Sequence, residues 1–157
     1  PSTFGIVTFF ISAGMYGLSG YCNARFVEKL GIPFMVRLGW GIMIVAGLIM
    51  LVWNMLLPMS YTSIFVPVAL YYFGSTFIWP NAFATAFTPF GHMAGYAGAL
   101  YGFMQIAGGA TLSALIAYLP DNDPIGFSLI VIVCAVMAWL IYEFTSGKFQ
   151  KGSTQSL

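Results

Sequence analysis

The chain has 157 residues, of which 60% are apolar and only 6% are charged, and its formal net charge is +1. Soluble domains carry roughly 25% charged residues, so the composition argues against a soluble protein, and a nearly neutral chain without a basic patch argues against nucleic acid as a partner. Leu38 to Pro120 contains no Asp, Glu, Lys or Arg, whereas one spanning helix needs only about 20 apolar residues. The sequence therefore predicts an all-α integral membrane protein in contact with the lipid bilayer.

Glycine, proline and the few charged residues divide the chain into five predicted membrane-spanning helices. They cover about residues 4–22, 34–57, 63–87, 93–119 and 125–144, and residues 146–157 form a predicted tail. At 1.5 Å per residue each helix is long enough for about 30 Å of hydrocarbon. The alternation that is typical of barrel strands is absent from the sequence.

The cations predict one orientation in the membrane. All of them lie beside the first connection or after the fifth span: Arg25, Lys29, Arg37, Lys148 and Lys151. With five spans these two regions fall on the same side, which the positive-inside rule makes cytoplasmic. We therefore expect the N-terminus of the chain outside and its C-terminus, with the tail, inside. An apolar run that follows Pro1 almost at once, with no initiating Met, predicts a fragment of a larger protein.

Glycines of the fourth span predict a helix-packing face. Gly95, Gly98, Gly102 and Gly109 share one side of that helix, and close backbone approach through small residues holds helices together in lipid. The face would be a static packing or dimer contact, or a contact at which two helices slide. Pro80, inside the third span, predicts either a hinge or a simple bend.

The sequence contains no catalytic constellation. It has one His, no paired carboxylates and two distant cysteines, so we predict no enzyme activity, no metal site and no cofactor. Uncharged polar and aromatic residues are the candidates for a substrate path: Ser12, Tyr16, Tyr72, Ser75, Thr76, Trp79, Asn81, Tyr101 and Gln105. They would line a cavity for bulky amphipathic ligands, or they would satisfy one another through interhelical hydrogen bonds.

The third and fourth spans carry a recognisable motif. Residues 74–82 read Gly-Ser-Thr-Phe-Ile-Trp-Pro-Asn-Ala, and after Ala86 and Pro89 residues 94–105 read Ala-Gly-Tyr-Ala-Gly-Ala-Leu-Tyr-Gly-Phe-Met-Gln. This order and spacing resembles the tenth and eleventh helices of major facilitator superfamily drug/proton antiporters, in the Bcr/CflA-like multidrug-resistance group.

The first connection resembles the cytoplasmic loop between helices eight and nine of the same family. Gly20, Asn23, Arg25 and Gly31 occupy its places. Asn23 stands where the N-terminal copy of the motif usually has an acid, and Ile32-Pro33 replaces the basic run after the glycine. The resemblance therefore implies a structural turn with cationic anchors rather than a charge relay.

The resemblance implies that the five spans are helices eight to twelve of a twelve-helix transporter, forming most of its C-terminal half. It further implies a bacterial inner-membrane exporter of small amphipathic drugs or metabolites, coupled to protons and working by alternating access. Its partners would be the substrate, protons and a missing N-terminal half. Two alternatives stay open: a transporter of the same fold for one specific metabolite, and a non-transporting scaffold or assembly subunit.

Overall fold

The computed structural model describes residues 2–57, 60–118, 120 and 123–154, except the side chains of residues 2–8, 11–12, 61 and 146–154. This part of the chain is helical and contains no strand. Its α-helices are α1 (Ser2–Leu30), α2 (Ile32–Leu56), α3 (Tyr61–Phe87), α4 (Ala94–Ile116) and α5 (Pro124–Thr154). A 3-10 helix over Thr88–Met93 joins α3 to α4.

Three helical runs in the described residues are long and apolar enough to cross a membrane. They are Ile32–Leu56, Pro124–Thr145 and one run over Thr62–Ile116 that contains α3, the 3-10 helix and α4. The predicted all-helical class is confirmed, and the helices are suited to a membrane. The division into five separate spans stays a prediction.

The break between α1 and α2 is a single residue, Gly31. Its φ of 78° lies in the left-handed region that glycine adopts without steric cost, and Pro33 stands at the start of α2. Because no helix-breaking residue precedes Gly31, α1 continues through Asn23 and Arg25 to Leu30. The prediction that Asn23 and Arg25 lie in a loop is therefore wrong, and only Gly31 separates the helices.

The start of α3 is fixed by a reciprocal capping box. The backbone N–H of Ser63 donates to Ser60 Oγ at 3.3 Å, and the backbone N–H of Ser60 donates to Ser63 Oγ at 3.2 Å. Pro67 and Pro80 both lie inside α3 without ending it. In lipid, neighbouring helices compensate the backbone groups that such prolines leave free. The hinge predicted at Pro80 stays a prediction.

The centre of the bundle is the contact of α2 with α3. The buried residues of α2 repeat with helical periodicity along one face: Met35, Val36, Gly39, Met43, Ala46, Gly47 and Met50. A Cβ atom at Gly39 would lie 2.7 Å from the carbonyl oxygen of Gly74 in α3. On the same face, a Cβ atom at Gly47 would lie 2.7 Å from Ile132 Cγ1 in α5. Glycine thus permits the closest helix approaches at these positions.

The predicted glycine face of α4 does not pack against the described residues. A Cβ atom at Gly95, Gly102 or Gly109 would meet nothing within 4 Å, and one at Gly98 would meet only the ring of Phe87, at 3.9 Å. The predicted packing or dimer contact of these glycines therefore stays a prediction for a partner beyond the described residues. The spacing of small residues shows that a helix can be approached closely, but it does not identify the partner.

Candidate substrate path

An aromatic cluster joins the second half of α3 to the start of α4. Its members are Trp79, Phe83, Phe87 and Tyr101. The ring centroid of Tyr101 lies 5.7 Å from Trp79, 5.5 Å from Phe83 and 5.9 Å from Phe87, each in an edge-to-face arrangement. These are the distances and angles that aromatic rings prefer.

Two members of the aromatic cluster, Trp79 and Tyr101, are predicted path residues, and the structure brings them together. Phe83 and Phe87 were missed. They follow Trp79 at successive steps of four residues, so they share its side of α3. This spacing was the available signal, although the sequence alone did not show that Tyr101 faces the same side.

A second aromatic contact joins α1 to α3. The rings of Tyr16 and Tyr72 lie 5.4 Å apart with their planes inclined by 54°. Tyr16 is exposed on its outer side, whereas Tyr72 is half-buried. These two predicted residues therefore form a contact along the first half of α3, and the aromatic cluster lies along the second half.

Asn81 forms a buried hydrogen bond to Asn23, between α3 and α1. Asn81 Nδ2 donates to Asn23 Oδ1 at 2.7 Å and to the carbonyl oxygen of Phe77 at 2.8 Å. The exposed fractions of Asn23 and Asn81 are only 8% and 5%. The pair thus matches the second of the two roles predicted for the path residues, an interhelical hydrogen bond. Asn23 contributes to this bond from within α1.

The hydroxyl groups of Ser75 and Thr76 are satisfied by their own helix. Both donate to the carbonyl oxygen of Tyr72, at 2.8 Å and 3.0 Å. Such bonds leave the hydroxyl oxygens able to accept a hydrogen bond but occupy their protons. Thr76 is buried and Ser75 half-buried, so Ser75 is the more accessible of the two.

Of the predicted path residues whose side chains the structure describes, one is not brought into these contacts. Gln105 is exposed on α4 and makes no hydrogen bond to the described residues, although it lies one helical turn beyond Tyr101. The side chain of Ser12 lies outside the described residues.

An ion pair ties the start of α2 to the second half of α5. Arg37 Nε donates to Glu143 Oε1 at 2.6 Å, and Arg37 Nη2 donates to Glu143 Oε2 at 2.9 Å. This two-pronged geometry is the one in which a guanidinium group matches a carboxylate best. Since α1 ends directly before α2, Arg25 and Lys29 lie at this same end of the bundle.

The described residues contain no group of three or more His, Cys, Asp or Glu side chains that could hold a metal ion. The residues of the path are instead aromatic, hydroxyl and amide groups. Such groups offer ring faces and single hydrogen bonds, and they carry no formal charge. The arrangement is therefore chemically suited to binding, and it presents no nucleophile paired with a base.

The chain is similar to curated drug-resistance proteins of two bacteria. It is 34% identical over 100 residues to Multidrug resistance protein D of Escherichia coli (strain K12), which covers 62% of this chain and 25% of that protein. It is 28% identical over 130 residues to the Bicyclomycin resistance protein homolog of Haemophilus influenzae, covering 83% of this chain and 32% of that protein. The resemblance to the Bcr/CflA-like group is confirmed.

The chain spans about a quarter to a third of the length of the Bcr/CflA-like relatives that it matches. No protein-family model matches it, and no solved structure matches it either. The likeness to the Bcr/CflA-like group thus rests on the sequence, and the all-helical fold with its membrane-compatible helices agrees with it.

Proposed function

We propose that this chain is part of a secondary active transporter that exports small amphipathic compounds from a bacterial cell. The observation that carries the proposal is its similarity to proteins named for multidrug resistance and bicyclomycin resistance. In this proposal the five helices are spanning helices eight to twelve, and the part of the transporter that they lack is helix seven together with the N-terminal half. The energy source is proton antiport, and access alternates by rocking of the two halves.

The aromatic cluster supports an amphipathic substrate. Trp79 and Phe83 are exposed enough to meet a ligand, and Tyr101 holds their rings from α4. Aromatic faces bind apolar rings and also organic cations, so they accept many compounds without demanding one shape. The path residues carry no charge, which argues against a strongly charged metabolite as the substrate.

The charged residues near the junction of α1 and α2 support a cytoplasmic location for the turn at Gly31. Arg25, Lys29 and Arg37 gather there, and Glu143 brings the second half of α5 to the same end. An excess of Lys and Arg is typical of cytoplasmic ends. In the proposed orientation the aromatic cluster lies toward the cytoplasm, where an exporter receives its substrate.

The exposed glycine face of α4 favours a second candidate function, a scaffold that assembles with another membrane helix without transporting anything. A scaffold and an exporter differ in one measurable respect. Only the exporter lowers the amount of an amphipathic dye inside the cell, and only its activity depends on the proton gradient.

The test is dye efflux from cells that lack their own drug exporters and express the complete reading frame containing this chain. Ethidium accumulation should fall on expression and rise again when a protonophore collapses the gradient. Phe83→Ala should lose several-fold in efflux rate, whereas Phe103→Ala, an exposed phenylalanine outside the aromatic cluster, should not. Unchanged dye levels on expression would reject export, and indifference to the protonophore would reject proton coupling.

A further inference from the structure

A cavity lies between four helices, away from the aromatic cluster. It has a volume of about 290 Å³ and is lined from α2, α3, α4 and α5. We call it the four-helix cavity. Of the predicted path residues whose side chains the structure describes, only Tyr72 lines it. Trp79 follows Tyr72 by seven residues, which is roughly 10 Å farther along α3, so the cavity and the aromatic cluster are separate places.

The cavity is larger than a packing defect. Interiors are close-packed, and voids larger than a water molecule are few. A volume of 290 Å³ instead reaches the lower end of the range of roughly 300–1,000 Å³ in which small-molecule pockets fall. Cavities with apolar linings stay dry and take up apolar molecules.

The side chains that line the cavity favour an uncharged ligand. Most of the described side chains around the cavity are aliphatic or aromatic, and the polar ones are Tyr71, Tyr72 and Cys134. None of these described side chains is charged. An ionised ligand would lose its hydration without gaining a partner, whereas a neutral ligand loses little. The ring of Phe127 and the two tyrosines favour an occupant that contains rings.

The height of the cavity favours a compact ligand over a whole lipid tail. Its lining covers residues 46–50 of α2 and 112–116 of α4, roughly 6 Å along each axis. On α5 it covers residues 127–134, roughly 10 Å. A lipid tail extends through half of a hydrocarbon core of about 30 Å, so the cavity is too short to hold a whole tail.

We propose that the four-helix cavity is a binding site for a compact, uncharged molecule that contains one or two rings. The site goes beyond the proposed export function, because a cavity binds its ligand whether or not the protein transports anything. Its separation from the aromatic cluster, roughly 10 Å along α3, makes it a second binding place in the same bundle.

The first experiment measures saturable binding of radiolabelled 1-naphthol to the full-length protein in phosphatidylcholine vesicles. Val131→Phe places a ring inside the cavity, since Val131 lines it. Val133→Phe adds the same ring on α5 outside the lining, at a residue that is 57% exposed. We expect Val131→Phe to weaken binding at least about tenfold by filling the space, and Val133→Phe to bind like the unchanged protein.

The second experiment locates the ligand through Cys134, which lines the cavity, with Cys22 of α1 as the control thiol. With Cys134 as the only cysteine, 1-naphthol should slow alkylation by N-ethylmaleimide, and 1-naphthalenesulfonate should not. With Cys22 as the only cysteine, 1-naphthol should have no effect. If Cys134 is not alkylated even without a ligand, the proposal is tested by the 1-naphthol binding of Val131→Phe and Val133→Phe alone.

Three results would overturn the proposal. They are the absence of saturable 1-naphthol binding, equal binding by Val131→Phe and the unchanged protein, and competition by decan-1-ol as strong as that by unlabelled 1-naphthol. The last result would assign the cavity to flexible hydrocarbon chains. A failure of dye export would leave these binding measurements unaffected, so the two proposals fail separately.

Discussion

Gly39 of α2 and Gly74 of α3 face each other so closely that neither position has room for a side chain. A Cβ atom at Gly39 would lie 2.7 Å from the carbonyl oxygen of Gly74, and one at Gly74 would lie 2.9 Å from the carbonyl oxygen of Gly39. Both obstacles are backbone atoms, which cannot rotate away as a flexible side chain does. The two helices must therefore separate if either glycine gains a methyl group.

Gly39→Ala should destabilise the protein by about 1–3 kcal/mol, the usual cost of overpacking. Gly41→Ala is the matched control, because a Cβ atom there would meet nothing within 4 Å. Reversible unfolding in mixed micelles measures both. A Gly39→Ala protein as stable as the Gly41→Ala protein would show that α2 and α3 do not pack as described.

The Asn23–Asn81 hydrogen bond should appear as an energetic coupling between α1 and α3. A double-mutant cycle with Asn23→Ala and Asn81→Ala should give about 0.6 kcal/mol, and no more than about 1.7, as for other hydrogen bonds between membrane helices. Thr76→Val paired with Asn23→Ala is the control, since the Thr76 hydroxyl donates within its own helix. Equal coupling in both cycles would contradict a direct bond.

Exchange of the charges of Arg37 and Glu143 should restore the thermal stability that either single substitution removes. Arg37→Glu and Glu143→Arg should each lower the melting temperature, and the double variant should recover most of the loss. Salt should weaken the effect because both side chains are partly exposed. Glu28→Gln, an exposed carboxylate with no ion pair to the described residues, should change little. If the double variant is no better than the single ones, the contact is not stabilising.

Loss of the Tyr101 ring should disturb the aromatic cluster, whereas loss of its hydroxyl group should not. Tyr101→Ala should cost about 0.5–1.5 kcal/mol for each ring contact and should change the near-ultraviolet circular dichroism. Tyr101→Phe keeps the ring and should resemble the unchanged protein. Tyr96→Ala, at a tyrosine of α4 that is 85% exposed, is the control for truncation. An unchanged spectrum for Tyr101→Ala would mean that the rings do not pack together.

The helical class was predictable because apolar runs and glycine or proline breaks mark membrane helices directly. The ends of the helices were harder to predict from the sequence. The first span was predicted to end near residue 22 and the fifth near residue 144, whereas α1 runs to Leu30 and α5 to Thr154. Hydropathy marks the part of a helix that prefers lipid, but the backbone stays helical through charged residues. Residues 146–154 of the predicted tail are accordingly helical.

Groupings of residues in the candidate site were predictable where the residues share one helix. They were not predictable where the residues lie on different helices. The Tyr72 to Trp79 pattern lies on α3 alone, so its spacing was visible in the sequence. The bond from Asn81 to Asn23 spans 58 positions and depends on how α1 lies against α3. The same holds for Gly39 and Gly74, whose closeness is a property of two helices together.

The connection between α1 and α2 is shorter than the connection between α3 and α4, and this difference bears on how the helices can move. Gly31 alone separates α1 from α2, so the end of α1 stays close to the start of α2. The six-residue segment Thr88–Met93 gives α4 a longer tether. Spin labels on α1 and α2 should therefore keep a narrow distance distribution, and labels on α2 and α4 a broader one. One chain therefore combines a pair of helices joined through a single residue with a helix, α4, that is joined through six.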